Sequence, residues 1–435
     1  MTARGHAVLA RTRRVRCGAT LVGLGLGLVL AGCASQAEQA KATDVCAQVE
    51  GLRDAAQAVR DLDPATVTAD EARAALEAHA TGRPTRVLLK CSEWVGQHGF
   101  YADEVGLDYR EYYTNPDLML QVQLEAARRR REIPVHDLIL GEAPAQGWMT
   151  GVDLWPAVAP GAFDCELMYR RETVIANRSR HLSKEECDAL VLPSIEDGGI
   201  IGTIRRFHEH LVERYEGKLT FLGRTVDHIR NGIGTSGFFS LALDLRGEEI
   251  MADMYEDPAF VRRFLQRLAD WTDALTRRWA DPADRDAPFP LTDHGIDMLS
   301  PAMYEQFILP ILLAKNRDKL HVSQLFHHCG RGQHLFPILA RHFKIHTLHA
   351  LTYPLLDIER IREEVGDDAH IYALISDGVL SLGQPDDVRY AVKNLLTPRL
   401  KRHGRLSLIS GDLLPGTKID NLHALYEAVK EFGQY

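Results

Sequence analysis

The sequence predicts an α/β protein in which residues 85–435 fold as a (β/α)8 barrel of the TIM type, preceded by a signal segment (1–33) and a short helical spacer (34–84). Three observations carry that prediction. Short apolar runs alternate with longer amphipathic stretches, five times or more in series along the second half of the chain. The runs are too apolar to face water on either side, which calls for a parallel sheet covered by helices. No GxGxxG or Walker loop follows any run, and a domain of about 350 residues with this many units favours a closed barrel over an open doubly wound sheet. The composition agrees: 435 residues, 45% hydrophobic and 26% charged, supply an ordinary globular core. A formal charge of −9 is mildly acidic and argues against a nucleic-acid partner. Seven cysteines without a CxxC do not form a disulfide framework.

At the N-terminus, Arg11, Arg13, Arg14 and Arg16 precede an uncharged apolar run, 18–31, that is too short to span a bilayer. It closes on Leu30-Ala31-Gly32-Cys33, which resembles a bacterial lipoprotein box and implies a lipid-bearing Cys33. In the spacer, Val45, Val49, Leu52, Ala56 and Val59 recur at helical intervals. After Asp63-Pro64, Thr68 with Glu71 three residues on opens a second helix through Leu76.

Within the barrel domain, residues 218–222 read as a strand, and Asp257-Pro258 opens a helix through Trp279 with Phe260, Val261, Phe264, Leu265 and Leu268 on one face. Residues 288–291 read as the next strand. Ser300-Pro301 is an N-cap and N1 pair opening a helix to residue 319. Strands follow at 322–327, 345–350, 371–375 and 406–409, separated and followed by helices at 333–342, 357–365, 385–403 and 418–432.

Barrel active sites lie at the C-terminal ends of the strands. The residues closing the apolar runs are Asp293-His294, His327-His328-Cys329, His349, Ser376-Asp377 and Ser410-Gly411-Asp412. Imidazole, thiol and carboxylate together are what a Zn2+ site uses. Strand alternation lets only one of His327 and His328 point inward, and His327 shares a face with Cys329. Cys329 reads either as a reactive ligand or as a small buried apolar residue. Trp94, Trp148 and Trp155 read as core or as an aromatic wall.

Leu325-Phe326-His327-His328-Cys329-Gly330 resembles the His-x-Cys-Gly segment of the corrinoid-dependent zinc methyltransferases in the uroporphyrinogen decarboxylase superfamily. Residues 379–388, 414–421 and 299–310 resemble further segments of that superfamily in the right order, and Asp137 with Glu142-Ala143 resembles an early one. The resemblance implies Zn2+ held by His327 and Cys329, a methylated corrinoid as co-substrate and a thiol acceptor. It further implies a small-molecule substrate, a corrinoid carrier protein as partner and a homodimer. The second zinc-binding Cys of that branch corresponds to Gly411 here, so Asp412 and Asp293 are the expected oxygen ligands. His294 is a further candidate for the metal shell or, with His349, for substrate contact. His349 also reads as a residue orienting a ligand.

The decarboxylase branch implies Asp137 as the catalytic Asp, although residues 91–100 lack the arginines that would bind a carboxylated tetrapyrrole. Asp377 reads as a substrate-binding group or a general acid or base. A third reading is a non-catalytic lipoprotein that binds a tetrapyrrole or corrinoid. Both family activities belong to the cytoplasm, whereas the signal segment implies a membrane-anchored lipoprotein. Both locations stand as expectations, with membrane contact only through the lipid anchor.

Overall fold

A computed structural model describes residues 69–90, 105–132, 137, 144–171, 174–282, 284–410 and 416–435. All of them belong to one compact unit, Val45–Tyr435. The signal segment with Cys33, the first spacer helix, Trp94, Glu142-Ala143 and Asp412 lie outside the described residues. The second spacer helix is present as Ala69–Ala80, longer than the expected 68–76. No helix among the described residues is long and apolar enough to cross a membrane.

The strands are β1 (Leu88–Lys90), β2 (Trp148–Gly151), β3 (Glu166–Met168), β4 (Ala176–Arg178), β5 (Thr220–Phe221), β6 (Arg224–Arg230), β7 (Gln324–His327), β8 (Ile345–Tyr353), β9 (His370–Ile375) and β10 (Leu406–Ile409). Five of them form a wholly parallel sheet in the order β1-β10-β9-β8-β7. The last strand therefore pairs with the first. A second parallel pair, β2 with β6, carries the antiparallel β5 on its edge, and β3 pairs with β4. The result is an α/β fold with a parallel central sheet, its strands covered by helices such as Pro258–Trp279, Phe336–His342 and Ile419–Phe432.

Several elements fall where hydrophobic spacing puts them. Asp257 Oδ1 accepts from Phe260 N at 3.1 Å and caps Pro258–Trp279, whose Phe260, Phe264, Leu265 and Leu268 are buried. Strand β10 spans the expected 406–409.

Others differ, and prolines explain most of the differences. Residues 288–291 form no ladder. Pro288 and Pro290 remove two N–H donors from the same side of the run, which weakens its pairing with a neighbouring strand. Among the described residues the parallel strands lie in two separate sheets. The helix expected over 301–319 is broken into Pro301–Met303, a π-turn at Tyr304–Ile308, Leu309–Lys315 and a 3-10 turn, with Pro310 lacking the amide that would continue the α pattern. The helix expected over 385–403 stops at Leu395 and restarts at Pro398–Lys401, capped by Thr397. The strand read at 218–222 is only Thr220–Phe221, half of a hairpin with β6.

Register positions the site. Pairings His327↔His349, His349↔Tyr372, Tyr372↔Ser407 and Ser407↔Leu88 align one residue from each strand of the five-stranded sheet in a single lateral row. In a parallel sheet such a row shares one face. Phe326, one residue off the row, packs edge-on against Phe336 of the covering helix at 5.4 Å, so the row faces away from the helices.

Candidate metal centre

Strand β7 presents its residues alternately. His328 turns to the helix side, where it stacks on Phe326 with ring centroids 5.8 Å apart and planes 4° from parallel. Its Nε2 accepts from Gly332 N at 2.9 Å, and burial pushes its pKa down to about 4. A neutral imidazole thus pins the turn after the strand. A Cβ on Gly332 would stand 2.5 Å from that Nε2, so the turn closes this tightly only with glycine there. His327 and Cys329 take the other face. Cys329 is exposed, unlike Cys165 and Cys187, which are buried. The reading as a small buried apolar residue fits those two and not Cys329.

His294 comes from the preceding segment, and its neighbour Asp293 fixes where it points. The Asp293 carboxyl accepts from Phe239 N (2.7 Å), Ser240 N (3.0 Å), Ser240 Oγ (2.7 Å) and Gly295 N (3.1 Å). It therefore acts as the anion at the N-terminus of helix Phe238–Arg246. Gly237 before that helix has φ 112°, and a Cβ there would lie 2.2 Å from Asp293. Asp293, expected as a metal ligand, has its oxygens engaged by these four donors and is not among the groups that converge. Burial still lifts its pKa to about 6, against the hydrogen bonds that pull it down. His294, anchored by its own N–H to Ser236 O at 3.1 Å, reaches the cluster instead.

Ligand-capable atoms of His294, His327 and Cys329 lie within 4.8 Å of one another. Cys329 Sγ is 3.8 Å from His294 Nδ1, and the His294 and His327 ring centroids are 5.3 Å apart. Two ligands held at ~2.3 Å (S) and ~2.0 Å (N) from one zinc ion at a tetrahedral angle would stand about 3.6 Å apart, so this spacing suits a shared metal. Burial lowers the pKa of His294, and burial followed by the neighbouring histidines takes His327 to about 3. Both imidazoles are neutral near pH 7, the form that binds metal. The residues present fit Zn2+ as a nitrogen-and-sulfur donor set.

His349 stands beside the cluster, its Nδ1 2.7 Å from His327 Nδ1. It does not end β8 as its apolar run suggests. The strand continues to Tyr353, with a register shift after His349 and Ala350 at φ 67°. On its far side lies Tyr372, ring centroids 5.8 Å apart. Trp155 flanks His294 at 6.1 Å, whereas Trp148 is buried and donates to Phe221 O. Asp377 opens helix Asp377–Leu382 after β9 and is not part of the cluster.

Asp137 is elsewhere in role. It is buried, pairs with both guanidinium nitrogens of Arg86 (2.8 and 2.5 Å), and accepts from Tyr426 Oη (2.8 Å) and Leu89 N (2.7 Å). In this structure the carboxylate, expected as a catalytic Asp, meets four donors and ties the first strand to the C-terminal helix.

Lys90 and Tyr372, which sequence reasoning passed over, also belong to this surroundings. Lys90 Nζ reaches Tyr372 Oη at 3.3 Å across β10. The signal was present in the polar member of the alternating run Ile371-Tyr372-Ala373 and in the lysine closing Leu88-Leu89-Lys90.

Comparison with known proteins gives one family and one fold. A solved methyltransferase from Methanosarcina mazei superposes with a TM-score of 0.56 at 18% identity, covering 83% of this chain and 98% of that one, a likeness of fold alone. No curated protein sequence matches. The family model described as uroporphyrinogen decarboxylase (URO-D) matches residues 157–432. The chain belongs to the uroporphyrinogen decarboxylase family.

Proposed function

We propose that this protein is a zinc-dependent methyltransferase that moves a methyl group from a methylated corrinoid, delivered by a carrier protein, to a thiol acceptor. The observation that carries the reading is the convergence of His294, His327 and Cys329 on one point. His294 takes up the ligand role left vacant by Gly411, where the methyltransferase branch has a second cysteine, and the two histidines offer neutral nitrogens while Cys329 offers its sulfur. When bound, Zn2+ supplies the Lewis acidity that makes a thiol ionise near neutral pH. Trp155 stands beside His294, its ring centroid 6.1 Å away, and offers an apolar surface next to the acceptor's place. Decarboxylation is disfavoured because Asp137 is fully engaged with Arg86, Tyr426 and Leu89 N.

The test is the metal content of the full chain and of its His294→Ala, His327→Ala and Cys329→Ala variants. About one zinc per chain, lost in each variant, supports the reading and makes thiol-dependent demethylation of methylcobalamin the next assay. A wild-type protein that takes up no zinc overturns it in favour of a tetrapyrrole- or corrinoid-binding module. We further propose Cys33 as the lipid-bearing residue. Cys33→Ala is then expected to move the protein out of the membrane fraction.

A further inference from the structure

We infer that His349 is a positioning residue that selects the tautomer of His327 and so directs the Nε2 lone pair of His327 to the metal; this rests on the metal-centre reading above. The two Nδ1 atoms are 2.7 Å apart. At that separation one nitrogen must carry a proton and the other a lone pair, since two lone pairs or two N–H groups facing each other repel. With Nδ1 committed to His349, His327 has only Nε2 left for a metal bond. That bond needs the Nε2 lone pair, so the proton of His327 sits on Nδ1 and is donated to His349 Nδ1, and His349 carries its own proton on Nε2.

The surroundings hold His349 to this task. It is the register partner of His327, and His328 N donates to His349 O at 3.0 Å, locking the strands together at that level. The irregularity at Ala350 comes directly after it, and irregularities of this kind re-aim a neighbouring side chain. Tyr372 backs the ring on the side away from His327. A carboxylate or backbone carbonyl is the usual partner of a ligand histidine, and here an uncharged imidazole fills that role.

Cobalt(II) binding to the full chain tests this, read by chelator competition and by the visible ligand-field bands. His349→Phe keeps a ring but removes the acceptor; His349→Asn puts Oδ1 near the place of Nδ1 and keeps one. We expect the Kd for cobalt to rise about 10- to 100-fold in His349→Phe, with altered bands, and to return most of the way in His349→Asn. Should the phenylalanine variant not fold, His349→Leu serves the same comparison. Unchanged binding in the variant lacking an acceptor overturns the inference, as does an equal loss in both variants with unchanged circular dichroism, which would mean packing rather than hydrogen bonding. A wild-type chain that binds no cobalt removes the metal-centre reading and this inference with it.

Discussion

Two polar clusters sit at strand ends in this protein, and their groups are arranged to opposite effect. Around Asp137, every hydrogen-bonding site of the carboxylate meets a donor, from Arg86, Tyr426 and the backbone of Leu89. Around Cys329, ligand-capable atoms of the thiol and of two imidazoles lie within 4.8 Å of one another, with no carboxylate among the converging groups. The first cluster is saturated from within and holds elements together. The second, on the metal-centre reading proposed above, is completed by an ion brought from outside. A polar strand end is therefore not a functional site by virtue of being polar; what separates the two is whether the donors and acceptors balance internally.

The largest effect should come from unbalancing the saturated cluster. Asp137→Ala leaves Arg86, itself mostly buried, without its counter-ion. Removing one partner of a buried pair costs roughly 3–5 kcal/mol, far more than the pair contributes over an apolar substitute. We expect a large fall in the denaturation midpoint, with the folded fraction keeping its metal content per chain. Loss of metal without loss of stability would reverse the roles assigned to the two regions.

Asp293 lies between the two cases, adjacent to the cluster yet met by three backbone donors and the Ser240 hydroxyl, and it gives the next effect in size. Its folded pKa of about 6 lies above the ordinary carboxyl value of 3.8. A raised carboxyl pKa means that the folded state binds the proton more tightly. Its contribution is fully present below pH ~4 and is lost as pH rises through about 6, by roughly 2–3 kcal/mol. Urea midpoints between pH 4 and 7 should carry this downward slope in the wild type and lose it in Asp293→Asn, whatever constant offset the weaker cap adds. A slope that survives in the variant would assign it to another buried carboxyl, of which Asp153, also raised to about 6, is the first to test.

Much of this was legible in the sequence, for identifiable reasons. The strands of the five-stranded sheet are runs of apolar residues bounded by turn signals, and β10 and the helix after Asp257 fall where periodicity puts them. The pairing of His327 with Cys329 on one face follows from the two-residue repeat of a strand. The run at 288–291 was misread because its apolar content outweighed two prolines that weaken a ladder. For Asp293 and Asp137, expected as ligand and catalyst, sequence shows a carboxylate but not its partners. Those partners, Phe239, Ser240, Arg86 and Tyr426, are 54, 53, 51 and 289 residues away. His294 was assigned between two roles because only the fold shows that its neighbour is occupied in capping a helix.

The smallest effect on stability is expected at Cys329, and it divides the two regions most sharply. An exposed thiol buries little apolar surface, so Cys329→Ala without metal is expected within about 0.5 kcal/mol of the wild type. Zinc then separates them. At a free metal concentration 100 times its Kd, the wild type gains about 2.7 kcal/mol from binding to the folded state alone, and the variant gains none. Thermal denaturation with and without zinc reads both quantities in one experiment. A Cys329→Ala protein as damaged as Asp137→Ala in the absence of metal would make the thiol part of the packed structure, and the contrast between a saturated and an open cluster would fail at the residue on which it most depends.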